Sequence, residues 1–556
     1  MSNLIPAVKW LKKYDLKDLK GDLSAGIIVA IMLVPQGMAY AMLAGLPPVI
    51  GLYSVTLPLM VYALFGSSRQ LAVGPVALVS MMIGTTVVNF AETGSAEYIN
   101  IVLLLSLLIG IINLLMGLFG LGFLVNFLSH AVISGFTSAA ALIIGFSQLK
   151  HILGVNLAGG HSVFHLIIEA ISKIGETNIP TLIIGLASIV ILFSLKKIKS
   201  PIPAPLVVVI GGILVVRLLN LEAVGVKIVG DIPGGFPSFS MPEFNLRNIN
   251  ALLPVALTIA FIGFMESIAV AKSLAAKDKY KIDSSQELRA LGLANIVGSF
   301  FSAYPVTGGF GRSAVNYQSG AKTPLASIIT AILMIIILLY FTPLFYFLPR
   351  AVLGSIVMVA VFGLIDIKEA KHLFEVKKSD GWILVVTFIS TLLLGVESGI
   401  LFGFIYSLSV FIKRSAYPHI AELGYLEEEG VFRNVERYLE AKTYSQVAII
   451  RIDASLYFAN MNFLEDKLCE IVGDRVNLKS IILDFSGIND IDAVSIGSLE
   501  ELMTECKENR VEFYFAGIKG PVRDVLKGAG WYENYGDKIK YLSIEDILVD
   551  MKLLND

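Results

Sequence analysis

Two interrupted apolar stretches, about 230 residues apart, restrict this chain more than anything else in it. One reads Gln70-Leu71-Ala72-Val73-Gly74-Pro75-Val76-Ala77, the other Tyr304-Pro305-Val306-Thr307-Gly308-Gly309-Phe310-Gly311-Arg312. Each lies in a hydrophobic run long enough to cross a bilayer, yet carries Gly and Pro where a continuous helix would want Leu or Ala. In lipid, a backbone leaves the helical ladder only where protein or a water-filled cavity satisfies its polar groups, so paired interruptions point to a binding site. Helix-like runs follow both breaks, over 75–90 and 311–320, so two exposed helix starts are expected to converge at mid-membrane. Their unpaired N–H groups and dipoles favour an anion. From Arg69 at one face, a few extended residues at about 3.3 Å each reach roughly 16 Å, near the middle of a hydrocarbon core about 30 Å thick. The helical run 75–90, at about 1.5 Å per residue, then covers about 24 Å to the far side. A Gly-Pro kink in a packed helix would account for either break alone; two in corresponding positions argue for a site.

Hydropathy supplies the surroundings. Of 556 residues, 55% are hydrophobic and 16% charged, and mean hydropathy is +0.76. This excludes a soluble enzyme and implies a polytopic membrane protein. Spans read as 22–45, 48–66, 70–90, 98–120, 126–149, 179–196, 203–220, 250–275, 287–302, 304–320, 323–343, 350–366, 380–395 and 398–413. Lys9, Lys12, Lys13, Lys17 and Lys20 place the N-terminus in the cytoplasm, and they mark no cleaved signal peptide. Lys196, Lys197, Lys199, the cations from Lys272 to Arg289 and from Lys368 to Lys378, and Lys413 with Arg414 all fall on the same side. An even number of spans returns the C-terminus to that side. The broken span stands third in each half, about 52 and about 58 residues after the half begins. Because seven is odd, the halves enter the membrane in opposite orientations, the arithmetic of a 7+7 inverted repeat.

Three further places carry chemistry. Gln36 and Tyr40 share a face one turn apart in a span loosened by Pro35 and Gly37, offering an amide and a hydroxyl to a ligand or packing against a neighbouring helix. Glu266 is a carboxylate at mid-depth of the eighth span, costly there and functional by default. It either carries a proton or ligates Na⁺ together with Ser267 and Thr307, unless Arg312 simply neutralises it. Arg312, in the first turn after the second break, would attract an anion and could also pair Glu266; those roles compete, so protonating Glu266 would release Arg312 toward substrate.

The run Val34-Pro35-Gln36-Gly37-Met38-Ala39-Tyr40, with Ala44-Gly45-Leu46-Pro47-Pro48 and Gly51-Leu52-Tyr53, resembles the sulfate-transporter signature of the SulP anion transporters (solute carrier family 26). Glu266-Ser267-Ile268-Ala269-Val270-Ala271-Lys272, Asn295-Ile296-Val297-Gly298 and Gly311-Arg312-Ser313-Ala314-Val315-Asn316 also look like family motifs. The resemblance covers nearly the whole chain. It implies fourteen helices in the inverted-repeat fold shared with uracil permeases, split into core and gate domains. It also implies an anion between the third and tenth helix starts, lined by Gln36, Tyr40, Val76, Phe310, Gly311 and Arg312. Many relatives carry a hydroxyl residue where this chain has Gly311, so here backbone N–H must serve, and substrate choice is affected.

Beyond Arg414 the character changes. Residues 447–452 and 480–485 read as strands, and 462–472 and 495–508 as amphipathic helices, a small α/β domain. Leu456-Tyr457-Phe458-Ala459-Asn460 and Asp484-Phe485-Ser486-Gly487-Ile488, followed by Ile491-Asp492-Ala493-Val494-Ser495, resemble the STAS domain of SulP proteins. Related anti-sigma-factor antagonists carry a phosphorylated Ser where this chain has Val494, so no phosphoswitch is carried over, and Ser495 reads as a helix N-cap. The organisation expected is a cytosolic segment 1–21, a transport domain 22–415, a linker 416–440 with Glu427 to Glu429 on a solvated face, and a STAS domain 441–556.

Cys469 and Cys506 read as reduced cytosolic thiols, and His151, His161 and His165 as solvated loop residues rather than a metal site. No nucleotide-binding Gly-rich loop occurs, which disfavours an ATP-driven pump. The expectation is a secondary active transporter of a small oxyanion, proton-coupled sulfate uptake first, in the inner (plasma) membrane and with both termini cytoplasmic. Sodium- or proton-coupled bicarbonate or dicarboxylate transport, a channel-like uniporter, and an anion sensor signalling through the STAS domain are the alternatives. A homodimer is expected, with an unidentified cytosolic partner of the STAS domain and with neither enzymatic activity, cofactor, metal nor nucleic acid.

Overall fold

A backbone in hydrocarbon must pair its own N–H and C=O groups, and the apolar runs of this chain do so as α-helices. The computed structural model describes residues 5–12, 14–123, 129–157, 163–198, 203–475 and 477–554; Lys13, His161 and Lys199 lie outside them. Every expected span has its helix. In order they are Leu19–Leu43, Pro48–Tyr53 continued by Leu57–Phe65, Ala77–Val87, Ala96–Leu118, His130–Ser147, Ile179–Ile198 and Ala204–Leu218 in the first half. The second half has Leu246–Lys277, Ser284–Phe300, Phe310–Gln318, Leu325–Tyr340, Arg350–Phe362, Lys378–Leu394 and Val396–Ala416. Starts are set by short polar residues: Ser95, Ser129, Asn245 and Asp283 each accept a backbone N–H of the turn they cap. Pro35 sits inside a helix that stays continuous around it.

The third and tenth spans are half-helices. Helix begins at Ala77 and Phe310 rather than at 75 and 311, because Pro75 and Val76 remain extended (Val76 φ −129°, ψ 148°) and Gly309 is the extended cap of the second helix. The first ends at Val87, so it covers about 16 Å instead of the 24 Å expected, which is about half a hydrocarbon core.

The two halves interlock. Ala96–Leu118 packs along Ser284–Phe300 and Leu246–Lys277, and Leu19–Leu43 packs along Leu325–Tyr340. A second group forms from His130–Ser147 with Lys378–Leu394 and Ile179–Ile198 with Arg350–Phe362. With no hydrophobic drive between helices in lipid, association rests on close contact of backbones. A Cβ on Gly292 would lie 2.6 Å from the Leu114 nitrogen and 2.8 Å from the Gly110 oxygen, both backbone atoms.

Contacts divide the chain into two units, Met1–Ser407 and Leu408–Asp556. The second contains a five-stranded sheet in the order Val431–Asn434, Ile420–Leu426, Val447–Ile452, Ser480–Asp484, Glu512–Ala516, antiparallel over the first three strands and parallel thereafter. Alternate residues serve its two faces: Ala448, Ile450 and Ile452 enter one core, Val447 and Ile449 the other. The stretch 416–440, expected as a linker, holds two of these strands, and Glu427 to Glu429 lie at the turn between them, where Glu427 pairs with Lys442 and Glu429 with Arg433. The expected helices extend over Phe458–Asp474 and Ala493–Glu508. Asp492, not Ser495, is the N-cap of the latter, accepting the Ser495 N–H at 2.8 Å, so the helix starts at Ala493 and Ser495 lies inside its first turn.

Gly292→Ala should cost about 1–3 kcal/mol by forcing two helix backbones apart. A lowered midpoint of thermal unfolding in detergent checks it, with Gly311→Ala, whose Cβ would meet nothing within 4 Å, as the matched control.

Candidate functional site

A broken transmembrane segment frees backbone groups, and each needs a partner. Here the two breaks are each other's first partners: Val73 pairs with Gly308 and Gly74 with Thr307 in a two-stranded antiparallel sheet, and the Gly309 N–H donates to the Ala72 carbonyl at 3.2 Å. Side chains satisfy much of the remainder. Ser313 Oγ accepts the Ala72 N–H at 2.9 Å, and Asn316 Nδ2 donates to the Gln70 carbonyl at 2.9 Å. The Asn295 amide serves as a third strand, donating to the Val306 carbonyl at 3.0 Å and accepting the Val306 N–H at 2.8 Å. Ser54 Oγ accepts the Tyr304 N–H at 3.0 Å, and the Tyr304 hydroxyl meets Ser80 Oγ at 2.9 Å.

Arg312, only 2% exposed, braces both interruptions. Its Nη1 donates to the carbonyl of Pro75, next to the first half-helix, and its Nη2 lies 3.5 Å from the carbonyl of Thr307. The second half-helix therefore delivers a guanidinium to the start of the first, which places the two origins side by side. Val76, the extended cap residue, is 6% exposed beside them. Phe310 is 60% exposed, and a Cβ on Gly311 would meet nothing within 4 Å, so that side of the first turn faces open space while Arg312 on the other is buried.

Ser267 and Thr307 are joined to each other rather than held open. Their hydroxyls are 2.6 Å apart, Ser267 Oγ donates to the Gly263 carbonyl at 2.6 Å, and it accepts the Gly308 N–H at 2.8 Å. They tether the second break to the Leu246–Lys277 helix. Gln36 Nε2 donates to the Tyr40 hydroxyl at 3.0 Å, so the pair expected on one face is a hydrogen-bonded unit. Among the described residues no ion pair joins Glu266 to Arg312; the guanidinium is occupied by carbonyls of both breaks, and the expected release of Arg312 from Glu266 lacks its starting contact. The two, with Tyr40 and Tyr304, still lie within electrostatic range. Three buried polar atoms without a hydrogen-bond partner fall on these residues: Gln36 Oε1, Glu266 Oε2 and Arg312 Nε. Unpaired buried groups are costly and mark a place with a use for them.

Sequence reasoning did not single out the residues that hold the frame. Glu287, fully buried, accepts the Tyr62 hydroxyl at 2.6 Å, the Ser67 N–H at 2.6 Å and hydroxyl at 2.7 Å, and the Ser68 N–H at 3.1 Å, fixing the connection that enters the first break. Asp22, also fully buried, accepts the N–H groups of Lys322 and Thr323 at 2.7 and 3.0 Å and the Thr323 hydroxyl at 2.6 Å, fixing the connection that leaves the second. The Tyr280 hydroxyl donates to Gln70 Oε1 at 2.8 Å and accepts the Arg69 N–H at 3.0 Å; burial pushes its pKa up, so it stays a neutral donor. The available signal was polar residues at the ends of apolar spans, which the cations around them masked.

This arrangement has relatives. The profile of the "Sulfate permease family" matches residues 19–387, and that of the "STAS domain" residues 438–540. The chain belongs to the sulfate permease family. It is 40% identical to "Sulfate transporter 4.1, chloroplastic" of Arabidopsis thaliana over 98% of this chain and 82% of that one. It is 33% identical to "High affinity sulfate transporter 2" of Stylosanthes hamata over 98% and 85%. Among solved structures, the murine solute carrier 26 family member A9 anion transporter in the inward-facing state aligns with a TM-score of 0.92 at 28% identity, covering 99% of this chain and 94% of that one. The transmembrane domain of the cyanobacterium bicarbonate transporter BicA aligns with a TM-score of 0.62 at 21% identity over 69% and 98%, a likeness of fold. This sulfate permease family member is thus a multi-pass membrane protein with a C-terminal STAS domain, in a family of transporters.

Glu287→Ala should cost about 3–5 kcal/mol, because it strands a phenol and two backbone N–H groups inside the protein. Loss of monodisperse protein, partly recovered in Glu287→Gln, is the expected result; a variant as stable as the parent would remove Glu287 from the frame.

Proposed function

We propose that this protein is a secondary active transporter that couples sulfate uptake to protons across the plasma membrane, with both termini in the cytoplasm. The single observation that carries this reading is the antiparallel pairing of the two breaks, which sets two half-helix origins and one buried guanidinium around the same spot. A dianion there gains the unpaired N–H groups at two helix starts, the positive ends of two dipoles and a charge-assisted bond from Arg312. Tyr40 and Gln36 form the side wall, Val76 and Phe310 the apolar rim, and Gly311 leaves backbone rather than a hydroxyl to meet the anion. The transporters named for sulfate at 33% and 40% identity favour that anion over bicarbonate.

Glu266 is the coupling group in this reading. Its charge repels an incoming dianion, and protonation removes that repulsion. By reciprocity the bound dianion raises the affinity of Glu266 for a proton by the same factor. This linkage acts through space and needs no swing of Arg312. A proton is favoured over Na⁺ because a hard cation wants several free oxygens, whereas the Ser267 and Thr307 hydroxyls are already engaged with each other and with the Gly263 carbonyl.

Purified protein in liposomes should accumulate labelled sulfate under an inward proton gradient; uptake indifferent to the gradient would sink the coupling. Glu266→Gln should keep sulfate binding and exchange but lose stimulation by the gradient, and full stimulation would exclude Glu266 as carrier. Arg312→Ala should weaken sulfate binding by about ten- to a hundredfold, the worth of a charged hydrogen bond. Because Arg312 also braces the breaks, Arg312→Lys provides the control, keeping the charge and recovering part of the affinity.

A further inference from the structure

Away from the broken helices, the connections that follow the fifth span, follow the seventh and precede the twelfth enclose a cavity of about 270 Å³. Among the described residues its wall carries Lys150, Lys227 and Arg350, with His151, Asn156 and Thr181, and no carboxylate. The placement of these cations is built by the backbone. Val229 N–H donates to the Leu348 carbonyl at 2.9 Å, Gly230 N–H to Tyr346 at 3.1 Å and Arg350 N–H to Lys227 at 3.0 Å, so the segments bearing Lys227 and Arg350 are stitched together. Arg350 Nε donates to the Ile228 carbonyl at 3.0 Å, which orients its guanidinium, and Lys227 Nζ is held by Asn156 Oδ1 at 2.7 Å. The nearby carboxylate of Glu169 is engaged by Lys173 at 2.9 Å, and Lys173 in turn holds the Asn156 carbonyl at 2.7 Å. None of Lys150, Lys227 and Arg350 has an acidic partner among the described residues.

Three cations around one concavity, two of them held in place by hydrogen bonds, repel one another, and a chain that only needed solubility at this face would have interspersed carboxylates. The focused positive potential, the amide of Asn156 and the hydroxyl of Thr181 suit a multivalent anion with several acceptor oxygens. We propose that this cavity is a second anion site, separate from the broken-helix site, that takes a tetrahedral oxyanion: free sulfate or phosphate, or the phosphate of a lipid headgroup. Occupancy would hold together the ends of the fifth, sixth and twelfth spans, and so bear on how that helix group moves.

The test uses the full chain carrying Arg312→Ala, which weakens the central site, purified in detergent and titrated with sodium sulfate at constant ionic strength. One saturable sulfate site is expected to remain, and Lys150→Gln with Lys227→Gln should weaken it at least tenfold. In the second arm, phospholipid retained by the purified protein is counted by native mass spectrometry. Retained lipid that the same pair of substitutions removes, without a sulfate site, assigns the cavity to a headgroup phosphate. Lys227→Gln alone, at an exposed position, guards against misfolding and should produce a partial loss that Lys227→Arg restores. Neither sulfate nor lipid bound, or binding that ignores the cavity substitutions, overturns the proposal. In the chain with native Arg312 the same substitutions should remove one sulfate or lipid molecule, so a failure of the central-site reading leaves this result distinct.

Discussion

The membrane unit depends on one pairing: four residues, Val73 and Gly74 with Thr307 and Gly308, that exchange backbone contacts between the two broken spans. Hydrocarbon offers no water to an unpaired amide, so each break is tolerable only beside the other. Everything packed around them extends the same accounting. Asn295 supplies an amide where a third strand would stand, Ser313 and Asn316 reach back from the second half-helix to the first break, and Ser267 ties the second break to the eighth span. What looks like a local defect in two helices is a shared element contributed by both halves of the repeat.

Arg312 joins the two breaks through one side chain. Its terminal nitrogens reach the Pro75 and Thr307 carbonyls, while Nε, buried, has no partner among the described residues. A guanidinium has five donors in a fixed fork, so it can brace two carbonyls and still present charge to an anion. With the guanidinium held by backbone carbonyls of both breaks, the proposed coupling through Glu266 is one of charge acting through space, without rearrangement of the brace.

The ends of the half-helix segments are secured differently. Glu287 and Asp22, each fully buried and each surrounded by N–H and hydroxyl donors, anchor the connection into the first break and the connection out of the second. Several donors converging on one carboxylate hold each connection rigidly. The basic cavity at Lys150, Lys227 and Arg350 contrasts with them, since none of these cations has an acidic partner among the described residues.

Length and hydropathy of the apolar runs determined the number of spans, and Gly with Pro at 73–75 and 305–309 determined where two of them break, because helix continuity in lipid is a local property of the backbone. Motif resemblance around Gln36, Glu266 and Arg312, and around Leu456 and Asp484, indicated the family and the STAS domain, which the family profiles and relatives show. Register and partnership were decided only in three dimensions. Nothing local in the sequence says that Val73 faces Gly308, that Ser267 and Thr307 bond each other, that Arg312 turns to Pro75 instead of Glu266, or that Ile420–Leu426 leaves the expected linker to enter a sheet. Those outcomes depend on which polar groups, far apart in the chain, are closest once the helices pack, and packing of apolar surfaces carries no address that a single segment can spell out.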